Sequence, residues 1–244
     1  MKKVSIITPT PDIIASVMQN SIVVKAKKNN IVDFEIINLR DFSDKKYKKV
    51  DDNPYGGGAG MVMMAEPLFK AIDYVLKKMG SNDNFKIIYP NPQGKTWDHR
   101  KALSFSSSNE NLIFICGHYK GIDERVVEKY VTHEYSLGDY VISNGELSTL
   151  VIIDSIVRLM PGVLNDISSA QTDSFYNNLL DAPYYTNPKE LDGMKVPDVL
   201  LSGDHKKIKS WKNKNRKAKT MINRPDLWNR YCLLYTSPSP RDDE

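Results

Sequence analysis

The feature that most constrains this chain is an alternation of short apolar runs with stretches of helical spacing. Residues 4–8, 32–37, 85–89 and 111–116 are rich in Val, Ile, Leu and Phe, and each has the length of a strand. In the last of them, Leu112, Ile113, Phe114 and Ile115 follow one another without a polar break, the mark of a strand covered on both faces. Residues 11–18 read as a helix after the first strand, and in 67–78 the side chains Leu68, Ile72 and Val75 fall on one helical face. A short helix is expected over 123–130 and a further strand over 134–141. Strands alternating with helices predict an α/β layer with a mostly parallel sheet. The strand at 85–89 is expected to end at Pro90-Asn91-Pro92.

Ser143 and Glu146 have capping-box spacing, with Ser143 at the N-cap. The apolar run Leu147, Leu150, Val151, Ile152, Ile153, Ile156 and Val157 then predicts a buried helix ending near Met160. Residues 161–172 lack periodicity and read as a linker between a first domain over 1–160 and a small helical domain over 173–231. The segment 232–244 breaks the preceding composition and shows no helical period. It is expected to be a non-native tail that makes Cys232 foreign and replaces the native C-terminal helix, and it is left out of the fold argument.

Composition excludes several classes. No run approaches the ~18 apolar residues of a membrane span, and the apolar start is broken by Pro9, Pro11 and Asp12, unlike a signal peptide. Cys116 and Cys232 make no disulfide framework, so a reducing cytoplasm is the expected setting. The histidines 99, 118, 133 and 205 have no metal spacing, and no metal ligand is nominated. The net charge is only +4, but residues 206–219 hold Lys206, Lys207, Lys209, Lys212, Lys214, Arg216, Lys217 and Lys219 with no acid. A solvated helix face would normally carry acids too, so this segment, with Trp211, points to nucleic-acid backbone.

Five further features stand out, each with an ordinary structural explanation beside the functional one. The loop Gly56-Gly57-Gly58-Ala59-Gly60 suits a phosphate or a plain mobile loop, and it fits neither the dinucleotide nor the P-loop pattern. Residues 116–125 and 136–146 follow predicted strands, where open α/β sheets bind ligands; both also suit a turn with a helix cap. Asp154 and Arg158 have the spacing of a helical ion pair. Asp173 suits a helix N-cap.

The order of these motifs is more specific than any of them. Residues 50–61, then Tyr89-Pro90-Asn91-Pro92-Gln93-Gly94-Lys95, then 116–125, 136–146, 173–181 and Leu200-Leu201-Ser202-Gly203 together resemble the bacterial tRNA (guanine-N1)-methyltransferase family over residues 1 to about 231. The resemblance implies the SPOUT methyltransferase fold with a C-terminal trefoil knot, joined to a small α-helical C-terminal domain. It implies a homodimer with its active site at the interface, tRNA as partner, and S-adenosyl-L-methionine as methyl donor. The donor would lie against Tyr89, Pro90 and Asn91, against Gly117, Tyr119 and Gly121, and against Leu137, Gly138, Asp139, Tyr140, Val141, Ile142 and Gly145. Asp173 would be the base that takes the N1 proton of guanosine 37, and Arg158 the cation facing O6. Methyl transfer in the family is magnesium-dependent, and the linker could order over bound tRNA. The chain departs from the family pattern at Lys120, where glutamate is usual, at Asn144, where glycine is usual, at Ala59, which replaces a proline, and near Ser148 and Thr149, where a proline is expected. Lys120 motivates an alternative, a catalytically impaired tRNA-binding protein of the same fold. A SPOUT enzyme with another RNA target is a third reading, disfavoured by the guanine-suited Asp173 and Arg158.

Overall fold

The apolar runs fold into one parallel sheet in the computed structural model, which describes residues 1–19, 22–80, 84–164 and 172–236. In chain order the elements are β1 (Lys2–Thr8), α1 (Pro11–Met18), α2 (Ile22–Lys28), β2 (Val32–Asn38), a short β3 (Asp51–Asp52) and β4 (Val62–Met63), α3 (Ala65–Met79), β5 (Phe85–Thr96), α4 (His99–Ser107), β6 (Asn111–Ile115), α5 (Glu124–Tyr130), β7 (His133–Ser136) and α6 (Gly145–Val157). The five long strands lie in the order β2-β1-β6-β5-β7, and every pairing between them is parallel. β3 and β4 form a separate antiparallel pair at the two ends of the glycine loop.

Side chains alternate across the sheet, and both faces are covered. Val4, Ile6, Leu112 and Phe114 pack with Ile152, Ile153 and Ile156 of α6 and with residues of α1, α2 and α4. Ile7, Ile113 and Ile115 point the other way, onto Leu68, Ile72 and Val75 of α3 and Val126 of α5. Two-sided burial is why β6 could be read as unbroken apolar sequence. Helices on both faces of a parallel sheet make an α/β architecture.

Four expectations about local structure are corrected. β5 does not stop at Pro90 but continues to Thr96; its ladder with β7 slips between Pro90 and Lys95. Proline has no N–H to offer a neighbour, so the strand bulges past the pair and then rejoins. β7 is shorter than expected, ending at Ser136 rather than near Val141. The N-cap of α6 is Asn144, whose side chain accepts from the Leu147 N–H, and not Ser143. Asp173 opens no helix, because residues 173–178 are bends and turns.

The chain divides into two compact units, Met1–Ile167 and Ser168–Glu244. In the second, a small hairpin (Glu190–Leu191 with Met194–Lys195) precedes helices Asp198–Leu201, His205–Asn223 and Pro225–Thr236. The last helix thus runs through Cys232 to Thr236, where sequence gave no helical period. Of the expected linker, residues 165–171 lie outside the described residues, as do 237–244 of the expected tail.

Candidate active site

The bulge of β5 and the carboxyl ends of β6 and β7 open into one cavity. It is walled by residues 89–92 of the β5 bulge, 117–121 of the β6–α5 loop and 135–145 of the β7–α6 connection, with the exception of Asp139. Every donor-site residue nominated from sequence lines it except Asp139, which is exposed on the same loop. This is the crevice beyond the strand ends where open α/β sheets bind ligands.

Backbone forms much of the wall. The Gly145 N–H donates to the Gly117 carbonyl at 2.7 Å, and His118 and Asn144 form an isolated antiparallel bridge. A methyl group at position 145 would fall 2.5 Å from the Gly117 nitrogen, so main chain touches main chain there. Tyr119 is held at φ 60, a left-handed conformation that costs a non-glycine residue about 1 kcal/mol or more and tends to mark functional loops. Tyr89 supports the floor. Burial pushes its phenol up to about 12, against a hydrogen bond to the Ile122 backbone, so the ring enters any chemistry as a neutral group. Cys116 is fully buried, and burial pushes its thiol up, which removes it as a nucleophile.

Behind this wall lies a group that sequence spacing misassigned. Glu146 is not reaching back to a cap; it is completely buried. Its carboxylate accepts from the Thr8 hydroxyl, from the Thr10 hydroxyl at 2.8 Å and from His118 Nε2 at 2.7 Å. Burial works to raise this carboxyl, but the His118 and Thr8 hydrogen bonds and the Thr10 hydroxyl together hold it below the usual glutamate range. A group whose folded pKa is depressed contributes stability above its unfolded value and loses it as pH falls through the folded one. Chemical denaturation is therefore expected to show the chain losing stability below about pH 4.5, with a smaller loss in Glu146→Gln. The available signal for this site was a pair of hydroxyls, Thr8 and Thr10, flanking Pro9 at a strand end, but nothing in sequence paired them with position 146.

The glycine loop is stitched to the same region. Lys120 donates its N–H to Met61 at 3.0 Å, and Met63 donates to Gly121 at 3.0 Å. The aliphatic stem of Lys120 crosses Gly60, where a methyl group would fall 3.0 Å from its Cγ. Gly56, Gly57, Gly58 and Gly60 all have positive φ, so four left-handed positions in five account for the glycines. Asp123 caps α5 by accepting from the Arg125 N–H at 3.0 Å; the 116–125 motif is a cap and a cavity wall at once. Among the described residues no group of three or more His, Cys, Asp or Glu side chains could hold a metal ion.

Arg158 closes α6 in the first unit, half-buried, its N–H donating to the Asp154 carbonyl at 3.1 Å. Asp173 lies in the second unit at the head of a tight turn. Phe175 and Asn178 there take φ 78 and 55, and the turn is pinned by Leu180 N–H donating to the buried Thr220 hydroxyl at 2.8 Å. A bulky residue such as Phe175 in that conformation is an outlier that only a constrained surround maintains. The helix His205–Asn223 carries the whole acid-free basic segment, with Asp204 capping it. Lys212 lies over the Tyr184 ring at 5.3 Å, and Trp211 meets Tyr185 at 6.4 Å. No helix among the described residues is long and apolar enough to cross a membrane.

Comparison with known proteins identifies the family. The family model described as tRNA (Guanine-1)-methyltransferase TrmD matches residues 1–230. The tRNA (guanine-N(1)-)-methyltransferase of Anoxybacillus flavithermus is 45% identical over 231 residues, covering 95% of this chain and 93% of that protein. Those of Halalkalibacterium halodurans and Brevibacillus brevis are each 46% identical, over 92% and 95% of this chain and 90% and 93% of theirs. A match over nearly the full length, with the strand-end cavity among the matched residues, places the chain in the tRNA (guanine-1)-methyltransferase family.

Proposed function

We propose that the chain transfers a methyl group from S-adenosyl-L-methionine to N1 of guanosine 37 in tRNA. The observation that carries this reading is the strand-end cavity, whose walls are the loops the family resemblance assigns to the donor. The residues fit such a ligand. Gly117 and Gly145 bring backbone to the wall, and a methyl group at Gly138 would fall 2.8 Å from the Tyr140 ring. Adenine can be bound by backbone N–H groups and carbonyls together, and the amino-acid carboxylate by backbone N–H groups. The exposed Tyr140, Val141 and Ile142 offer apolar cover.

In the chemistry, the N1 lone pair forms a bond to the methyl carbon as the carbon–sulfur bond breaks, and that electron pair stays on sulfur, neutralising the sulfonium. N1 of guanine carries a proton, so a base must remove it; Asp173 takes that role. Negative charge then builds on O6, where the Arg158 guanidinium stabilises it. The base must leave any stack to react, which suits an anticodon-loop nucleotide. Among the described residues no group of three or more His, Cys, Asp or Glu side chains could cage magnesium, an ion that usually takes one or two carboxylates together with substrate phosphates.

The acid-free basic helix supports tRNA backbone binding by counterion release, and a tRNA substrate supports a cytoplasmic setting. The exposed Val141, Leu147 and Val151, an apolar group beside the cavity, support a homodimer built on that face. The all-parallel sheet and the family match over residues 1–230 support a SPOUT fold with its C-terminal trefoil knot. Domains over 1–160 and 173–231, a linker between them and a non-native 232–244 remain part of this reading. A tRNA-binding chain without turnover is not favoured, because the relatives reported above carry the methyltransferase name over their matched length.

Labelled donor incubated with magnesium and two tRNA transcripts is expected to label the one with guanosine at position 37 and not the one with adenosine there. Label in both, or in neither, would overturn the assignment.

A further inference from the structure

Three strand-end segments meet at a single buried carboxylate. Glu146 follows Gly145, whose N–H is bonded to Gly117, and it accepts from His118, the next residue along that same loop. Its other partners, Thr8 and Thr10, sit at and just beyond the end of β1. His118 lines the cavity, its side chain 16% exposed, while Glu146 has no exposure at all. The carboxylate can only accept, so His118 Nε2 must bring a proton to it. That fixes the imidazole ring at the cavity wall and, through the adjoining main chain, the left-handed Tyr119 beside it.

We propose that Glu146 and His118 are positioning residues for the methyl donor: together they lock the 117–121 and 137–145 loops against each other so that the cavity keeps its bound shape. The arrangement is costly unless it is used. A buried carboxylate contributes little net stability compared with apolar packing of the same volume, and an apolar α6 N-terminus would suffice to close the core. What the pair adds is geometric: two loops from different strands are held by a charge-assisted bond a few atoms behind the wall. Neither residue touches the reacting atoms in this proposal; both act through the backbone that does.

The inference rests on the cavity being the donor site, and the experiment separates the two. Donor affinity is measured by calorimetry with S-adenosylmethionine alone, and steady-state constants with tRNA. Thermal unfolding of each variant is followed alongside. Unmodified protein that binds no donor would overturn the site assignment itself. If it binds, Glu146→Gln and His118→Asn are each expected to raise the donor Kd and KM about tenfold or more, to leave the tRNA KM within about twofold, and to keep most of kcat at saturating donor. The double variant is expected to be little worse than either single one, since the two act as a unit. Thr10→Val, which removes a hydroxyl while leaving the charge pair, keeps the test open should Glu146→Gln fail to fold; its donor Kd is expected to rise by a few fold. Variants that unfold earlier but bind the donor as the unmodified protein does would overturn the proposal, because a purely structural role predicts that result.

Discussion

Asp173→Asn is expected to slow methyl transfer to tRNA by about 10²–10⁴-fold, the range general-base catalysis supplies. Asparagine keeps the shape and a carbonyl oxygen but cannot accept the N1 proton, so guanine stays a poor nucleophile. Donor binding should be unchanged, because none of the cavity walls contains Asp173. Arg158→Ala should cost about 10²–10³-fold, as loss of one donor to a developing oxyanion does, and Arg158→Lys should recover part of it. Single-turnover assays at saturating donor and tRNA isolate the chemical step. Near-normal turnover by Asp173→Asn would remove Asp173 from the reaction and leave proton removal to solvent or to another group. The turn that carries Asp173 contains a left-handed Phe175 and is pinned to Thr220. Thr220→Val should therefore reduce the same rate without touching the carboxylate, through looser placement of the turn.

How far sequence alone reaches is clearest by comparing elements. α1 and β6 were legible nearly residue for residue, because Pro11 starts the one and the unbroken Leu112–Ile115 run has a single cause, burial on two faces. The cavity was legible only as an ordered series of loops; 116–125 and 136–146 each also fitted a turn and a cap, and the first turns out to hold both, with Gly117–Gly121 in the wall and Asp123 as the cap. What failed had a non-local cause. β5 passes Pro90 because β7 accepts it again at Lys95, a fact about the partner strand. Asn144 rather than Ser143 caps α6, and Glu146 leaves the expected box, because Thr8, Thr10 and His118 reach it from up to 138 residues away. Spacing patterns report on neighbours along one helix; they cannot report a partner delivered by the sheet.

Gly145→Ala is expected to be the most damaging single-methyl change in the donor site. Gly145 is not among the positive-φ glycines, so alanine's helix preference would, in isolation, favour the substitution by about 0.5–1 kcal/mol. The opposing effect is steric. The added carbon would meet Gly117 N at 2.5 Å, Gly117 O at 2.9 Å and the Cys116 carbonyl carbon at 3.0 Å, all main-chain atoms that no rotamer change can move. Relief requires the 117–121 loop to separate from α6, which breaks the 2.7 Å bond between Gly145 and Gly117 and disturbs Glu146 one residue on. Overpacking typically costs about 1–3 kcal/mol, and a lost buried hydrogen bond adds about 1–3 kcal/mol, so the steric side wins. The expected result is a chain that unfolds at lower denaturant and binds S-adenosylmethionine at least about tenfold more weakly, taking the ~1.4 kcal/mol per decade conversion. Gly193→Ala is the control. It sits at a hairpin tip at φ 76 with nothing within 4 Å, so it tests left-handed strain without a clash and should leave donor affinity unchanged. If both variants lost stability equally and Gly145→Ala still bound donor normally, close approach of the two backbones would be irrelevant to the cavity, and the loop contact that defines its wall would have to be assigned elsewhere.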